Sequence, residues 1–180
     1  MQFSKTSFEG LWVIQPKAFE DERGYFYESY NQVSFNEYCP PVTFLQDNHS
    51  QSKINVLRGL HLQNPPFAQI KLIRVVKGAV LDVAIDLRKK SNSFGKYFKI
   101  ELSEKNKTML WIPEGFAHGF LTLQEHTEFL YKCSNIYHKA SELCIRWNDP
   151  DLNIDWGIKN PLVSEKDSKG IAFKDLVSLF

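Results

Sequence analysis

The region from residue 69 to residue 135 alternates short apolar runs with turn signals, and this pattern restricts the fold more than any other feature of the sequence. Polar or glycine-containing turns separate the runs, for example Lys77-Gly78 and the polar stretch 103–107. The pattern predicts six β-strands, at residues 69–76, 79–88, 97–102, 108–112, 119–123 and 128–133. Many short strands with regular turns indicate an antiparallel barrel or jelly roll rather than alternating strands and helices.

The remaining segments predict fewer elements. Residues 57–61 form a further predicted strand, which Asn64-Pro65-Pro66 ends. Residues 10–30 look extended, and residues 32–38 predict one short helix. The last thirty residues, from Pro150, are rich in Asp and Asn, and we expect them to wrap the barrel as loops with one short helix. The 180 residues fit one domain, 1–180.

Charge and cysteine content exclude several classes of function. The 22 basic and 21 acidic residues give a net charge of +1, which does not favour nucleic acid or an anionic membrane as a partner. No apolar stretch has the length of a membrane span, and the first residues do not resemble a signal peptide. Cys39, Cys133 and Cys144 lack CxxC spacing, which predicts reduced thiols in a cytoplasmic protein rather than a disulfide or a zinc site.

Four polar residues interrupt the apolar strands: His61, Lys71, Asp82 and Tyr131. Together they supply a base, a cation, a carboxylate and a weak acid, the groups needed to move a proton next to a carbonyl. Asp82 is either exposed or a paired group inside the barrel. Taken singly, a strand His is more often a hydrogen-bonded core or rim residue, a Tyr packs in the core and a Lys faces water. The residues alone therefore indicate a jelly roll with a polar pocket, without specifying a reaction.

Several separate strings, in order along the chain, resemble the dTDP-4-dehydrorhamnose 3,5-epimerase family. The match runs from about residue 10 nearly to the C-terminus. The strings lie at residues 21–28, 44–50, 58–61, 69–72, 111–120, 128–132, 145–150 and 164–167. The resemblance implies a mainly β cupin jelly roll, an antiparallel barrel with a few short helices, and a homodimer.

The resemblance also implies catalytic roles for four residues. His61 would be the general base, held by Asp167, and Tyr131 would be the general acid on the opposite face of the sugar. Lys71 would stabilise the enolate oxygen at C4. The activity implied is conversion of dTDP-4-dehydro-6-deoxy-D-glucose to dTDP-4-dehydro-L-rhamnose, for surface polysaccharide, with no cofactor and no metal. The absence of a GxGxxG motif agrees with a reaction that needs no nicotinamide.

Further residues would bind the dTDP-sugar, again by resemblance. Residues 44–50 look like a substrate-contacting loop, Tyr137 would stack on thymine, and Lys166 would lie near the phosphates. Three residues of the N-terminal segment would reach a nucleotide in the neighbouring subunit, so that dimerisation completes the site. The expected binding residues are Arg23, Phe26, Glu28, Gln46, Asn48, Arg58, His118, Tyr137, Glu142 and Lys166.

One departure and three alternatives accompany this interpretation. Ile70 stands where the family usually has Gly, which bears on packing or pocket width and hence on the sugar accepted. A metal cupin is disfavoured because Lys71 stands among the expected ligands, leaving only His61 and His118. A binding protein without catalysis would be expected to lack His61 or Tyr131. An epimerase acting at C3 or C5 alone, or a ketoisomerase, needs the same base and stays open.

Overall fold

Two antiparallel β-sheets face each other in the structure, a computed structural model that describes residues 1–180. None of its helices is long and apolar enough to span a membrane. The helices are α1 (Gln32–Asn36) and α2 (Glu165–Ser168), and 3-10 turns lie at Lys139–Ser141 and Phe173–Asp175. The strands are β1 (Gln2–Lys5), β2 (Trp12–Gln15), β3 (Phe19–Asp21), β4 (Gly24–Phe26), β5 (Gln46–Ser52), β6 (Val56–Gln63), β7 (Lys71–Lys77), β8 (Ala79–Asp86), β9 (Tyr97–Ser103), β10 (Met109–Ile112), β11 (Phe116–Thr122), β12 (Thr127–Cys133), β13 (Glu142–Cys144) and β14 (Leu162–Val163).

The strand order is that of a jelly roll, since neighbours in each sheet are mostly distant in sequence. The first sheet has the order β1-β2-β10-β7-β12-β5, and the second has the order β13-β6-β11-β8-β9. β14 adds to β6 in parallel, and β3 pairs with β4 in a separate hairpin. This arrangement confirms the predicted antiparallel, mainly β fold.

Three apolar clusters hold the sheets and their coverings together. The inner cluster takes residues from both sheets, including Ile73, Leu110 and Phe129, so it fills the space between them. A second cluster packs the C-terminal segment, with Trp156, on the outer face of the second sheet. The third packs α1, through Phe35, on the outer face of the first sheet. The C-terminal segment and α1 thus cover the outer faces of the two sheets, and the part of the space between the sheets that the inner cluster does not fill is available for a pocket.

Most element predictions are confirmed, and the differences have local causes. The six central strands form, although β7 begins at Lys71 and β11 already begins at Phe116. Helix α1 ends at Asn36, two residues before the predicted end. Residues 44–50 were expected to form a substrate-contacting loop. That expectation of a loop was wrong, because residues 46–52 form strand β5, which pairs with β12. β5 carries no apolar alternation, since one face lines a polar pocket and the other faces water.

An irregularity in β6 sets which side chains face inward. His118 of β11 lies opposite His61, and Phe120 lies opposite Arg58. On β11, one residue lies between His118 and Phe120. On β6, two residues, Gly59 and Leu60, lie between their partners Arg58 and His61. The extra residue is a β-bulge, and it reverses the alternation. Arg58 and His61 both reach the pocket, although three positions apart in a regular strand would point them to opposite faces.

Candidate active site

A cavity of about 820 Å³ opens between the two sheets. Its walls come from β5, β7 and β12 on one side and from β6 and β11 on the other, with α2 at one edge. The cavity brings together all the predicted site residues outside the N-terminal segment. These residues are Gln46, Asn48, Arg58, His61, Lys71, His118, Tyr131, Tyr137, Glu142, Lys166 and Asp167.

His61 and Asp167 form a close pair at the wall of the cavity. His61 Nε2 lies 2.7 Å from Asp167 Oδ1, and the backbone N–H of Gly59 donates to Oδ2 at 3.3 Å. Burial disfavours the carboxylate, but the His61 hydrogen bond and charge outweigh burial and lower the pKa of Asp167. An ionised Asp167 accepts a hydrogen bond from the Nε2–H of His61, which leaves the lone pair of Nδ1 as the base.

Helix α2 holds Asp167 in this position. Ser164 caps the helix, and its Oγ accepts a hydrogen bond from the backbone N–H of Asp167 at 3.1 Å. The Asp167 side chain is only 4% exposed, so the protein must supply its hydrogen-bond donors. After His61, the second donor is the backbone N–H of Gly59. Cys144 adds a thiol beside the pair, with its Sγ 3.9 Å from Asp167 Oδ1. The carboxylate therefore has fixed geometry.

A buried cation and a second His–Asp pair lie on the inner walls. Lys71 shares the inward face of β7 with Ile73 and Val75, as strand alternation requires. His118 Nε2 lies 2.9 Å from Asp82 Oδ2, and Asp82 is fully buried. Of the two placements that the sequence leaves open for Asp82, the structure shows the paired one. Burial lowers the pKa of Lys71, and the Asp82 charge opposes that effect.

Tyr131 faces the cavity from the first sheet, whereas His61 faces it from the second. A sugar ring between the sheets would therefore meet the two groups on opposite sides. Burial raises the pKa of Tyr131, so the phenol keeps its proton at neutral pH. Arg58 adds a cation to the same cavity and donates from Nε to Ser52 Oγ at 3.1 Å.

The mouth of the cavity carries a connected group of polar side chains. Glu142 accepts hydrogen bonds from the Tyr137 hydroxyl at 3.0 Å and from Lys166 Nζ at 2.7 Å. Burial opposes ionisation of Glu142, but these two partners prevail and lower its pKa. Tyr137 is 52% exposed, so its ring is open to a stacking ligand.

Sequence analysis missed several residues that line the cavity. Ser50 follows Gln46 and Asn48 on the inward face of β5, and its Oγ is buried without a hydrogen-bond partner. Alternation along 46–50 would have found it once the segment is recognised as a strand. The apolar lining comes from β6, β11, β12 and the β14 region, where no sequence signal separates pocket wall from core. These residues are Val56, Leu57, Phe120, Phe129, Leu162 and Val163.

Three predicted binding residues lie outside this cavity. Arg23, Phe26 and Glu28 belong to or adjoin the exposed β3–β4 hairpin, and none lines the cavity of its own chain. Arg23 forms an ion pair with Asp21 at 2.6 Å, and Phe26 is 67% exposed. A single chain therefore does not bring these residues to its own site, and their predicted contact with a neighbouring subunit stays a prediction.

Comparison with known proteins agrees with this geometry. The sequence model of dTDP-4-dehydrorhamnose 3,5-epimerase matches residues 5–175. A dTDP-4-dehydrorhamnose 3,5-epimerase from Shigella flexneri is 51% identical over 176 residues, covering 97% of each chain. The crystal structure of the enzyme of that name from Elizabethkingia anophelis NUHP1 is 49% identical, with a TM-score of 0.93 over 97% of each chain.

A third relative was solved with a sugar nucleotide. It is the dTDP-6-deoxy-D-glucose-3,5-epimerase of Legionella pneumophila Philadelphia 1, in complex with dTDP-4-keto-L-rhamnose. It is 41% identical, has a TM-score of 0.93 and covers 98% of this chain and 94% of its own. The family match over most of the chain and the shared fold lead to one conclusion: this chain belongs to the dTDP-4-dehydrorhamnose 3,5-epimerase family.

Proposed function

We propose that the protein converts dTDP-4-dehydro-6-deoxy-D-glucose to dTDP-4-dehydro-L-rhamnose by inverting C3 and C5. The observation that carries this proposal is the placement of a His–Asp pair and a protonated tyrosine on opposite walls of one cavity, His61–Asp167 and Tyr131. Inversion at carbon needs a proton removed from one face and another delivered to the opposite face. The names and the bound ligand of the relatives supply the substrate class.

The base acts on a C–H bond that the neighbouring carbonyl makes acidic. Both C3 and C5 are adjacent to the C4 carbonyl, so loss of either proton leaves an enolate with its charge on O4. His61 takes the proton on Nδ1 and becomes an imidazolium, which the Asp167 carboxylate stabilises. Lys71 is assigned to O4, where a fixed cation favours the enolate over the ground state.

Tyr131 completes the inversion as the acid. Its phenol donates a proton to the carbanion carbon, and the C–H bond forms on the face opposite His61. The phenolate then recovers a proton, and His61 releases its own, so the two groups return to their initial states. No electrons are transferred to an acceptor, so the reaction needs no redox cofactor, and Lys71 supplies at O4 the positive charge that a metal ion could otherwise provide.

The nucleotide part is assigned to the mouth of the cavity. Tyr137 offers an exposed ring for thymine, and Lys166 and Arg58 offer cations for the diphosphate. Gln46 and Asn48 are held against each other, with Gln46 Nε2 donating to Asn48 Oδ1 at 2.9 Å. These amides are assigned to substrate hydroxyl or diphosphate oxygens.

The protein is proposed to be a homodimer and to act in the cytoplasm. Its product is proposed to lead to a donor sugar for surface polysaccharide. Exposed aromatic residues on the β3–β4 hairpin support the dimer, since Phe19, Tyr25 and Phe26 are each more than half exposed. Three free cysteines are compatible with a reducing compartment. The hairpin is proposed to carry Arg23, Phe26 and Glu28 to the partner's nucleotide.

The decisive experiment is incubation with the 4-keto-6-deoxyglucose nucleotide in D₂O, followed by proton NMR and mass spectrometry. We expect deuterium at both C3 and C5 together with inverted configuration. His61→Ala should lower exchange at both carbons by at least about 100-fold, since it removes the base. Tyr131→Phe should retain part of the exchange and lose inversion, because only the acid is missing.

His49→Ala is the matched control, since His49 is an exposed histidine of β5 outside the cavity. It should retain full exchange. Label at a single carbon would replace the proposal by a mono-epimerase, and a shifted carbonyl would replace it by a ketoisomerase. Unimpaired exchange in His61→Ala would remove His61 as the base.

A further inference from the structure

A thiol joins the base and its carboxylate at the wall of the cavity. Cys144 lies on β13 directly opposite His61 on β6, and α2 brings Asp167 to both. One ligand atom from each of the three residues lies within 4.8 Å of the other two. The sequence did not indicate this cluster, because its members are far apart along the chain and match no metal-binding spacing.

We propose that His61, Cys144 and Asp167 form an inhibitory site for a thiophilic divalent cation such as Zn²⁺. The metal is not a cofactor in this proposal, because it occupies the general base. Inhibition rests on the proposed function of His61, whereas binding of the ion does not. Binding of such an ion would then stop the epimerase reversibly, with a chelator restoring activity.

The donor set matches the ion in type and in charge. Imidazole nitrogen, thiolate sulfur and carboxylate oxygen are the three ligands that Zn²⁺ prefers. The two anionic ligands neutralise the charge of the ion, and the open cavity leaves a fourth position for water. Of the other charged groups nearby, Glu142 and Lys166 are paired with each other, so they add little net charge.

The donor atoms lie near the separations that a tetrahedral ion requires. Asp167 Oδ1 lies 2.7 Å from His61 Nε2 and 3.9 Å from Cys144 Sγ. Tetrahedral Zn²⁺, with bonds of about 2.0 to 2.3 Å, needs these donor atoms roughly 3.3 to 3.5 Å apart. With Asp167 held in place, the His61 ring must draw back slightly from the carboxylate, and the Cys144 thiol must approach both the carboxylate and the imidazole, which lies within 4.8 Å; rotation about the His61 and Cys144 side-chain bonds supplies these movements.

The thiol gives up its proton when the ion binds. Burial, reinforced by the Asp167 charge, raises the pKa of Cys144 to about 12, so the free thiol is protonated. A bound divalent cation offsets that charge and deprotonates a coordinating thiol. His61 needs no net proton loss, since the neutral ring coordinates through Nε2 when its proton moves to Nδ1.

The test is titration of the substrate-free protein with Co²⁺, a spectroscopic substitute for Zn²⁺. We expect a near-ultraviolet band from sulfur-to-cobalt charge transfer and the visible bands of a four-coordinate ion. Cys144→Ala should lose the charge-transfer band and bind at least about tenfold more weakly. Cys39→Ala, the same change at a buried thiol in a different cluster, should leave the spectrum unchanged.

Inhibition is measured separately, with Zn²⁺ added during turnover and EDTA added afterwards. Cys144→Ala should turn over without metal and resist Zn²⁺ by at least about tenfold relative to the unaltered protein. A missing charge-transfer band, a band that persists in Cys144→Ala, or equal inhibition of both proteins would overturn the site. A protein that gives the band but lacks epimerase activity would instead refute the proposed function and leave the metal site standing.

Discussion

Asp82 shows how a single buried carboxylate affects a neighbouring group that it does not touch. Its Oδ2 is hydrogen-bonded to His118 Nε2, and its Oδ1 is buried with no hydrogen-bond partner. Burial raises the pKa of Asp82 and lowers the pKa of Lys71, and the opposite charge of each residue counteracts the shift of the other. Asp82 is thus a positioning residue, which orients His118 and favours the charged form of Lys71.

Replacing this carboxylate should change the pH dependence of the reaction. In Asp82→Asn the pKa of Lys71 falls further, because the charge that favours the ammonium is gone. Lysine stabilises the enolate only when protonated, so the alkaline limb of the kcat/KM profile should move to lower pH. We expect kcat to fall roughly tenfold with KM little changed, less than the loss on removing an oxyanion donor itself.

Asp86→Asn provides the matched control for that profile. Asp86 is another fully buried carboxylate of β8, but it accepts hydrogen bonds from Arg88 and Ser91, neither of which lines the cavity, whereas Asp82 is bonded to the cavity residue His118. The control should lose stability without moving the alkaline limb. An alkaline limb that stays in place in Asp82→Asn would show that Lys71 does not sense this carboxylate.

At the scale of elements, the regular strands could be predicted together with the faces of their side chains, whereas β6 could be predicted only as a strand and β5 was missed. Alternation in β7 puts Lys71 and Arg74 on opposite faces, and the structure agrees because that strand has unbroken pairing with β10. In β6 the bulge at Gly59 overrides alternation, and a bulge leaves no periodic signal in sequence. β5 was missed as a strand because a polar pocket replaces the apolar face that strand patterns depend on.

The bulge depends on a glycine at residue 59. Its φ is +124°, and a Cβ there would lie 2.5 Å from Gly119 Cα and 2.8 Å from His118 O. Gly59→Ala should therefore lower the free energy of unfolding by about 2 to 4 kcal/mol, through strain and overpacking. Urea unfolding measures this loss.

Gly24→Ala separates strain from crowding in that measurement. Gly24 has a similar φ of +125°, but no atom lies within 4 Å of the position of a Cβ. It should cost only about 1 kcal/mol, the strain alone. Equal losses in the two variants would mean that the close approach of β6 to β11 contributes nothing.

At the scale of the whole molecule, the sequence could predict the residues of the cavity better than the role of the β3–β4 hairpin. The cavity residues could be assigned because the matching strings fold into adjacent strands of one chain. The role predicted for Arg23, Phe26 and Glu28 involves a second chain, which one sequence does not describe. Their proposed role is therefore a property of the assembly.

Mixed dimers test whether the hairpin serves the partner's site. Arg23→Ala and His61→Ala chains, each inactive or impaired alone, are coexpressed and compared with either homodimer. If the hairpin acts in trans, one site of each mixed dimer combines an intact His61 with an intact Arg23. Random pairing should then restore about one quarter of the unaltered activity.

A hairpin that serves its own chain predicts a different result. Each site of a mixed dimer would then keep one defect, and coexpression would give only the average of the two parents. Coexpressing His61→Ala with Asp167→Asn chains is the control, since both residues belong to one wall. That pair should not complement under either arrangement.

The bulge in β6 also bears on how this site could be gained or lost. A strand of perfect regularity would offer the cavity either the guanidinium or the imidazole, but not both. If β6 became regular at its present length, one of the two would turn away from the substrate, whereas deleting one residue between them would leave both on the same face of a regular strand. The cavity is therefore compatible with a regular β6 only if that strand is also one residue shorter between Arg58 and His61.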